Sequence, residues 1–269
     1  MNTHGTKLAI ISRMITYILA IIPGWLFGAV VNYLADVLPL RRRLTKPFCI
    51  QCDTTQNWIN YLVWPRKCPT CGHTRSIRVW VVEVFYITAS VLISIYPPPK
   101  LGYLMGILLL AYFGVVVLID LEYRLIMHPV SIFGGVLGLV VGFLSVGWWR
   151  TLLGGVVGFG VMGMLYMLGV LIMNIVKRRR GPLADDVALG FGDVNLSGVL
   201  GLMLGWPVVL IGLVVAVLIG GFVSLIFILI KLITRKYQAF MALPYGPFLV
   251  LGAVILIYFR DLVLALIGG

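Results

Sequence analysis

The sequence predicts an all-α, polytopic membrane protein of about eight transmembrane helices, interrupted by one small polar insertion. Three observations predict it. Hydrophobic residues make up 61% of the 269 residues and charged residues 11%, with a mean hydropathy of +1.07. A soluble domain is about one quarter charged, so a water-soluble enzyme of this composition could not cover its own surface. Eight apolar runs follow one another near the length that crosses a bilayer as a helix. All four cysteines fall in one polar stretch, Cys49 to Cys71.

The runs are Met14–Pro39, Val79–Tyr96, Leu101–Leu121, Pro129–Gly147, Thr151–Ile175, Gly190–Gly205, Pro207–Ile233 and Pro247–Ile267. The first follows Lys7 and Arg13, as a signal peptide would, but it is too long and lacks a small-residue cleavage site, so it reads as a retained anchor. The sixth is short and lies so close to the seventh that Gly205, Trp206 and Pro207 must form a tight turn.

Assigning the loops alternately to two sides puts 16 of the 21 basic residues on one side, which the positive-inside rule makes cytoplasmic. A bacterial inner membrane is the expected location. The chain then divides into a first transmembrane helix (1–39), a cytoplasmic cysteine loop (40–78) and a transmembrane core (79–269). The net charge of +12 would suggest nucleic acid in a soluble protein. Here the basic residues sit in short loops rather than on one clustered face, which fits membrane orientation and anionic lipid contact and argues against nucleic acid. No internal repeat supports an inverted-repeat transporter, and the oligomeric state stays open.

Cys49-Ile50-Gln51-Cys52, fifteen intervening residues and Cys68-Pro69-Thr70-Cys71 have the spacing of a zinc ribbon. Each CxxC turn presents two sulfurs on one side, and two such turns complete a tetrahedron. Closed four-thiolate coordination leaves no open position, so the Zn²⁺ would be structural. His73, next to the second pair, reads as a bystander or an outer donor.

Nine acidic residues are few enough to weigh singly. Asp36, Asp53, Asp185, Asp186 and Asp261 have bland readings as solvated or paired groups. Glu83, one turn inside the second span, faces the protein interior or a pore, either paired with Arg78 or a neighbour or in a functional role. Asp120 ends the long apolar run of the third span, and Asp193 follows Leu189-Gly190-Phe191-Gly192 at the head of the sixth. Ionisable groups at that depth are functional candidates by default, and the loop assignment puts both at the cytoplasmic ends of their helices. Two carboxyls held close share one proton. The ionised partner can activate water while the protonated one hydrogen-bonds a scissile carbonyl. Gly190 and Gly192 would let backbone approach closely there. The same physics serves a proton relay in a transporter, and spacing alone leaves protease and transporter open. The three histidines, His4, His73 and His128, form no HExxH helix, and no GxSxG elbow occurs.

The motifs, taken in order, resemble the prepilin peptidases, or type IV leader peptidases. Gly28, Asn32 and Leu38-Pro39 match the end of the family's first span. The double CxxC follows, then Arg78 and Glu83 at the family's Arg-x-x-x-x-Glu spacing, Leu118-Ile119-Asp120-Leu121-Glu122, the GxGD motif Gly190-Phe191-Gly192-Asp193, and Leu243-Pro244-Tyr245-Gly246-Pro247-Phe248. The resemblance implies an aspartic endopeptidase in which Asp120 and Asp193 are catalytic, supported by Gly190, Gly192, Pro244, Gly246 and Pro247. Asn32, Arg78 and Glu83 would then contact substrate, and Cys49, Cys52, Cys68 and Cys71 would bind zinc. It further implies a substrate, the charged leader of a type IV prepilin or type II secretion pseudopilin, cut on the cytoplasmic side after a glycine that precedes the apolar helix. Methylation of the new N-terminus with S-adenosylmethionine is implied by resemblance alone, since no glycine-rich strand-to-helix fingerprint is present. Two departures stand out. Asn195 replaces the family's lysine after GxGD-x, and the proline after Asp120 falls one place late, in Met127-His128-Pro129-Val130, with Pro129 expected to start the fourth span and His128 to be interfacial. The leading alternative is a proton-coupled transporter with a zinc-stabilised regulatory loop. A presenilin-like protease with another substrate fits the cysteine loop less well.

Overall fold

The computed structural model describes residues 3–63, 65–180, 190–234 and 244–260. Every apolar run forms a helix among its described residues. In chain order these are α1 (Thr3–Arg41), α3 (Ile77–Ile95), α4 (Gly102–Tyr123), α5 (His128–Val146), α6 (Trp148–Arg180), α7 (Phe191–Leu204), α8 (Val208–Ile233) and α9 (Gly246–Tyr258), with a short α2 (Trp58–Leu62) in the cysteine loop. Six of them are long and apolar enough to cross a membrane, while α7 and α9 are shorter apolar helices. No strand occurs among the described residues, only the isolated bridges Phe48–Thr55 and Lys67–Thr74. Asp185, Asp186, Leu189, Leu243 and Asp261 lie outside the described residues.

The chain forms two compact units, one of residues 1–98 and 102–115 and the other of residues 99–101 and 116–269, so α4 contributes its first part to one and its last two turns to the other. In the first unit α1 packs on α3 through glycines. A Cβ on Gly24 would lie 2.7 Å from the Ile87 Cα, and one on Gly28 would lie 3.1 Å from the Glu83 Cα. Small residues at a helix crossing let backbones approach where no hydrophobic drive distinguishes neighbour from lipid. Polar side chains then bind backbone across the interface. Asn32 Nδ2 donates to the Val79 carbonyl at 3.1 Å, and the Ser90 hydroxyl donates to the Ala20 carbonyl at 2.6 Å. The Tyr86 hydroxyl reaches the Leu110 carbonyl at 2.8 Å, in space that the absent side chain of Gly114 leaves free.

In the second unit α7 is the buried element, packed by α5, α6, α8 and α9. At fourteen residues it is about 21 Å long, and nearly every side chain from Asp193 to Leu204 is buried. Glycines again set the spacing. A Cβ on Gly154 of α6 would strike the Gly201 carbonyl, one on Gly158 the Ser197 carbonyl, and one on Gly142 of α5 the Leu202 carbonyl. The expected turn follows α7. Gly205 has φ +71°, the Trp206–Pro207 bond is cis, and the Trp206 N–H donates to the Arg150 carbonyl at 2.9 Å.

Candidate active site and cysteine cluster

Asp120 sits in the last turn of α4, which Arg124 terminates with φ 52° and an N–H donated to the Asp120 carbonyl at 2.9 Å. A carboxylate at the C-terminal end of a helix faces the negative pole of that helix. It is nevertheless 5% exposed, and the compensation comes from another helix. Gly246 opens α9, and its N–H donates to Asp120 Oδ2 at 3.0 Å. That N–H is one of the donors a helix start leaves unpaired, and the positive pole of α9 favours the charge. Pro247 follows in the first turn, where a missing N–H costs nothing. A Cβ on Gly246 would lie 2.6 Å from Asp120 Oδ2, so only glycine admits the carboxylate at this approach.

Asp193 is the third residue of α7, is 8% exposed, and accepts the Gly190 N–H at 3.1 Å. It therefore closes half of a capping box on its own helix start. The two glycines flanking Phe191 act differently. A Cβ on Gly192 would lie 2.8 Å from Ile126 Cβ, in the α4–α5 loop, whereas one on Gly190 would make only an ordinary 3.6 Å contact. Ile126 thus presses the loop after α4 against the start of α7, a contact no motif announced. Asp193 lies within reach of the Asp120 charge. Asp193 in turn acts on the Tyr245 hydroxyl. Pro244, Tyr245 and Gly246 lead into α9 beside the pair. Asn195 is half-buried on α7, and His128 is exposed in the first turn of α5 beside Pro129.

The cysteines gather as their spacing predicts. Their four sulfurs lie within 4.8 Å of one another, with Cys49–Cys71 at 3.6 Å and Cys52–Cys68 at 3.5 Å. A tetrahedron with Zn–S bonds of about 2.3 Å has edges of about 3.8 Å, so the cluster fits the ion. The two turns are built alike. Cys49 and Cys68 each donate their N–H to a carbonyl beyond the second cysteine, from Thr54 and His73, and each carbonyl accepts from Asp53 or Gly72. Those last two residues carry φ 60° and 71°, and Gly72 meets that geometry at no steric cost. The Thr54 hydroxyl lies 3.0 Å from Cys52 Sγ and 3.6 Å from Cys68 Sγ. The Cys71 backbone amide, opposed by burial and helped by the Thr54 hydroxyl, pulls the Cys68 thiol down to about 5. Such lowering favours the thiolate, the form that binds metal. His73 is exposed and is not part of the cluster.

Asn32, Arg78 and Glu83 lie in the first unit, engaged with its own residues. Glu83 is 5% exposed and pairs not with Arg78 but with Arg66, whose Nη2 lies 2.9 Å from both carboxylate oxygens while its guanidinium lies over the Trp80 ring at 4.2 Å. Arg78 pairs with Asp36, as does Arg75 at 2.6 Å, and the Tyr61 hydroxyl donates to the same carboxylate at 2.6 Å. Burial and the Asp36 charge raise Tyr61 above the ordinary phenol range, so it stays a neutral donor. Sequence reasoning missed this network. Its only signal was that Arg66 and Arg75 flank the second CxxC, a position that says nothing of their partners.

Comparison with known proteins fits this geometry. Residues 107–229 match the type IV leader peptidase family. That match spans a little under half of the chain. It is 28% identical over 204 residues to a prepilin leader peptidase/N-methyltransferase of Aeromonas hydrophila, covering 74% of this chain and 64% of that protein. Proteins of the same name from Pseudomonas putida (26% over 223 residues, 79% and 72%) and Legionella pneumophila (27% over 236 residues, 84% and 76%) are similar. The matched segment thus spans just under two thirds of the Aeromonas hydrophila protein. No solved structure matches. With six apolar spans and bacterial relatives of this family, the chain is a polytopic protein of a bacterial inner membrane. None of these matches favours the transporter alternative.

The site makes two predictions. Gly246→Ala, which pushes the Asp120 carboxylate off its amide, lowers turnover in the reaction proposed below about 10- to 100-fold, with a much smaller loss in Gly190→Ala, as initial rates on one substrate will show. Arg66→Ala, which strands Glu83 without its partner, costs about 3–5 kcal/mol of stability. The double variant Arg66→Met/Glu83→Gln recovers most of it, a difference read from denaturant unfolding in micelles.

Proposed function

We propose that this protein is a membrane-embedded aspartic endopeptidase that removes the leader of type IV prepilins or type II secretion pseudopilins, cutting after a glycine on the cytoplasmic side. The observation that carries the reading is the pair Asp120 and Asp193, two buried carboxylates from different helices, with the Asp120 charge in reach of Asp193, in a chain whose residues 107–229 match the type IV leader peptidase family.

Two carboxyls held close share one proton, and the proposed mechanism assigns that role to Asp120 and Asp193. The ionised member takes a proton from water as the water oxygen attacks the scissile carbonyl, while the protonated member gives its proton to the carbonyl oxygen. The tetrahedral intermediate then collapses: a gem-diol hydroxyl returns its proton to the aspartate that was the acid as the C=O bond re-forms, and the proton taken from water passes from the other aspartate to the departing amine as the C–N bond breaks. Gly246 and Gly190 hold one oxygen of each carboxylate, which fixes their orientation, and Gly192, Pro244 and Pro247 shape the two helix starts that do so. Asn32, Arg78 and Glu83 would serve substrate indirectly, by bracing the first unit. A structural Zn²⁺ held by Cys49, Cys52, Cys68 and Cys71 would fix the loop on the cytoplasmic side. Methylation of the new N-terminus with S-adenosylmethionine is suggested by the names of the relatives, and no described residue is assigned to the donor.

Asp120→Asn and Asp193→Asn each abolish leader cleavage in membranes incubated with prepilin, with the chain still inserted and folded. Processing by either variant at the wild-type rate, judged from the product N-terminus by mass spectrometry, defeats the mechanism. Protein purified without chelator carries about one zinc per chain, and replacing Cys68 with serine removes it. Elemental analysis decides this independently of activity.

A further inference from the structure

We infer that Thr54 is a positioning residue for the metal: its hydroxyl, donated to the Cys52 and Cys68 sulfurs, sets how firmly the four cysteines hold Zn²⁺. This rests on the zinc reading above and adds to it a residue that is not a ligand.

The two cysteine turns correspond residue for residue, Cys49-Ile50-Gln51-Cys52-Asp53-Thr54 against Cys68-Pro69-Thr70-Cys71-Gly72-His73. Thr54 and His73 therefore hold the same place, and their backbones play the same part. Each carbonyl accepts the N–H of the first cysteine of its turn at 2.9 Å, and each N–H is directed at the sulfur of the second, Cys52 or Cys71. Their side chains differ. His73 is exposed, whereas Thr54 is half-buried and turns its hydroxyl inward, 3.0 Å from Cys52 Sγ and 3.6 Å from Cys68 Sγ. It thus touches one sulfur from each CxxC pair. Among the described residues no other side chain outside the tetrad hydrogen-bonds a sulfur.

A thiolate has no proton to give, so toward metal-bound sulfurs the hydroxyl can only donate. One Zn²⁺ among four thiolates leaves an excess of negative charge on the sulfurs, and that charge is largely desolvated at Cys49 and Cys68, which are 3% and 2% exposed. A hydrogen bond to a charged acceptor is stronger than one between neutral groups, so the Thr54 hydroxyl offsets part of the excess. It also steadies Cys52 against Cys68, across the 3.5 Å contact by which those two sulfurs join the turns. A β-branched side chain is stiff at χ1, which keeps the hydroxyl aimed at the sulfurs before a metal arrives. Groups that hydrogen-bond metal ligands in this way are worth about 10- to 100-fold in affinity.

The test uses the full chain in lipid nanodiscs, loaded with zinc and titrated with a chelator of known affinity. Thr54→Val is expected to weaken zinc binding about 10- to 100-fold. Thr54→Ser, which keeps the hydroxyl, and His73→Ala, at the same place in the other turn, stay near wild type. Co²⁺ gives a second reading that does not depend on affinity. A sulfur without its hydrogen bond gives up an electron more easily, so the sulfur-to-cobalt absorption of Thr54→Val moves to lower energy, while Thr54→Ser keeps the wild-type bands. Where Thr54→Val fails to accumulate, Thr54→Ala supplies both readings. Unchanged affinity or unshifted bands in the variant without the hydroxyl, or an equal loss in Thr54→Ser or His73→Ala, overturns the role of Thr54 while the zinc reading stands. Wild-type protein that takes up neither metal overturns both.

Discussion

Two backbone N–H groups at helix starts hold the two carboxylates on which the proposed chemistry depends. Asp193 can bind its own helix start because it is the third residue of α7. Asp120 cannot, since it sits at the electrostatically unfavourable end of α4, and it is the Gly246 amide of α9 that stabilises it there. The pair of carboxylates is therefore a three-helix object. Its geometry depends on α9 beginning where it does, which explains why glycine and proline crowd Pro244, Gly246 and Pro247 into so short a segment.

The first unit solves the same problem with side chains. Asp36 and Glu83 are buried near helix ends, and each is neutralised by arginines from the cysteine loop or its border. Arg66 and Arg75 stand on either side of the second CxxC, and the Arg75 N–H donates to the Arg66 carbonyl at 3.3 Å. A metal that closes the cysteine turns would therefore also fix the two guanidiniums. Desolvated ion pairs add little net stability compared with apolar packing, yet losing one partner is expensive. The loop is thus tied to α1 and α3 by contacts that cannot be half made, which suits a structural ion.

Glycine is the other recurrent device. It brings α1 to α3 and α6 to α7 within backbone contact, and it admits Asp120 to α9 and Ile126 to α7. In an apolar surrounding the helices cannot be sorted by hydrophobicity, so small residues and buried polar contacts determine which faces meet.

Much of this was legible in the sequence, because composition and run length are local properties. Eight apolar runs, the turn at Gly205 to Pro207, the cysteine tetrad and the placing of Asp120 and Asp193 at helix ends all follow from residue type and spacing, since lipid requires helices and penalises unpaired charge. Partner choice was not legible. Arg78 stands five residues from Glu83, nearly one and a half helical turns along α3, yet Glu83 binds Arg66 and Arg78 binds Asp36. Gly190 and Gly192 look equivalent in the motif, yet only Gly192 is packed against a neighbour. Which donor meets which carboxylate depends on how separate helices come together, and only the tertiary structure decides that.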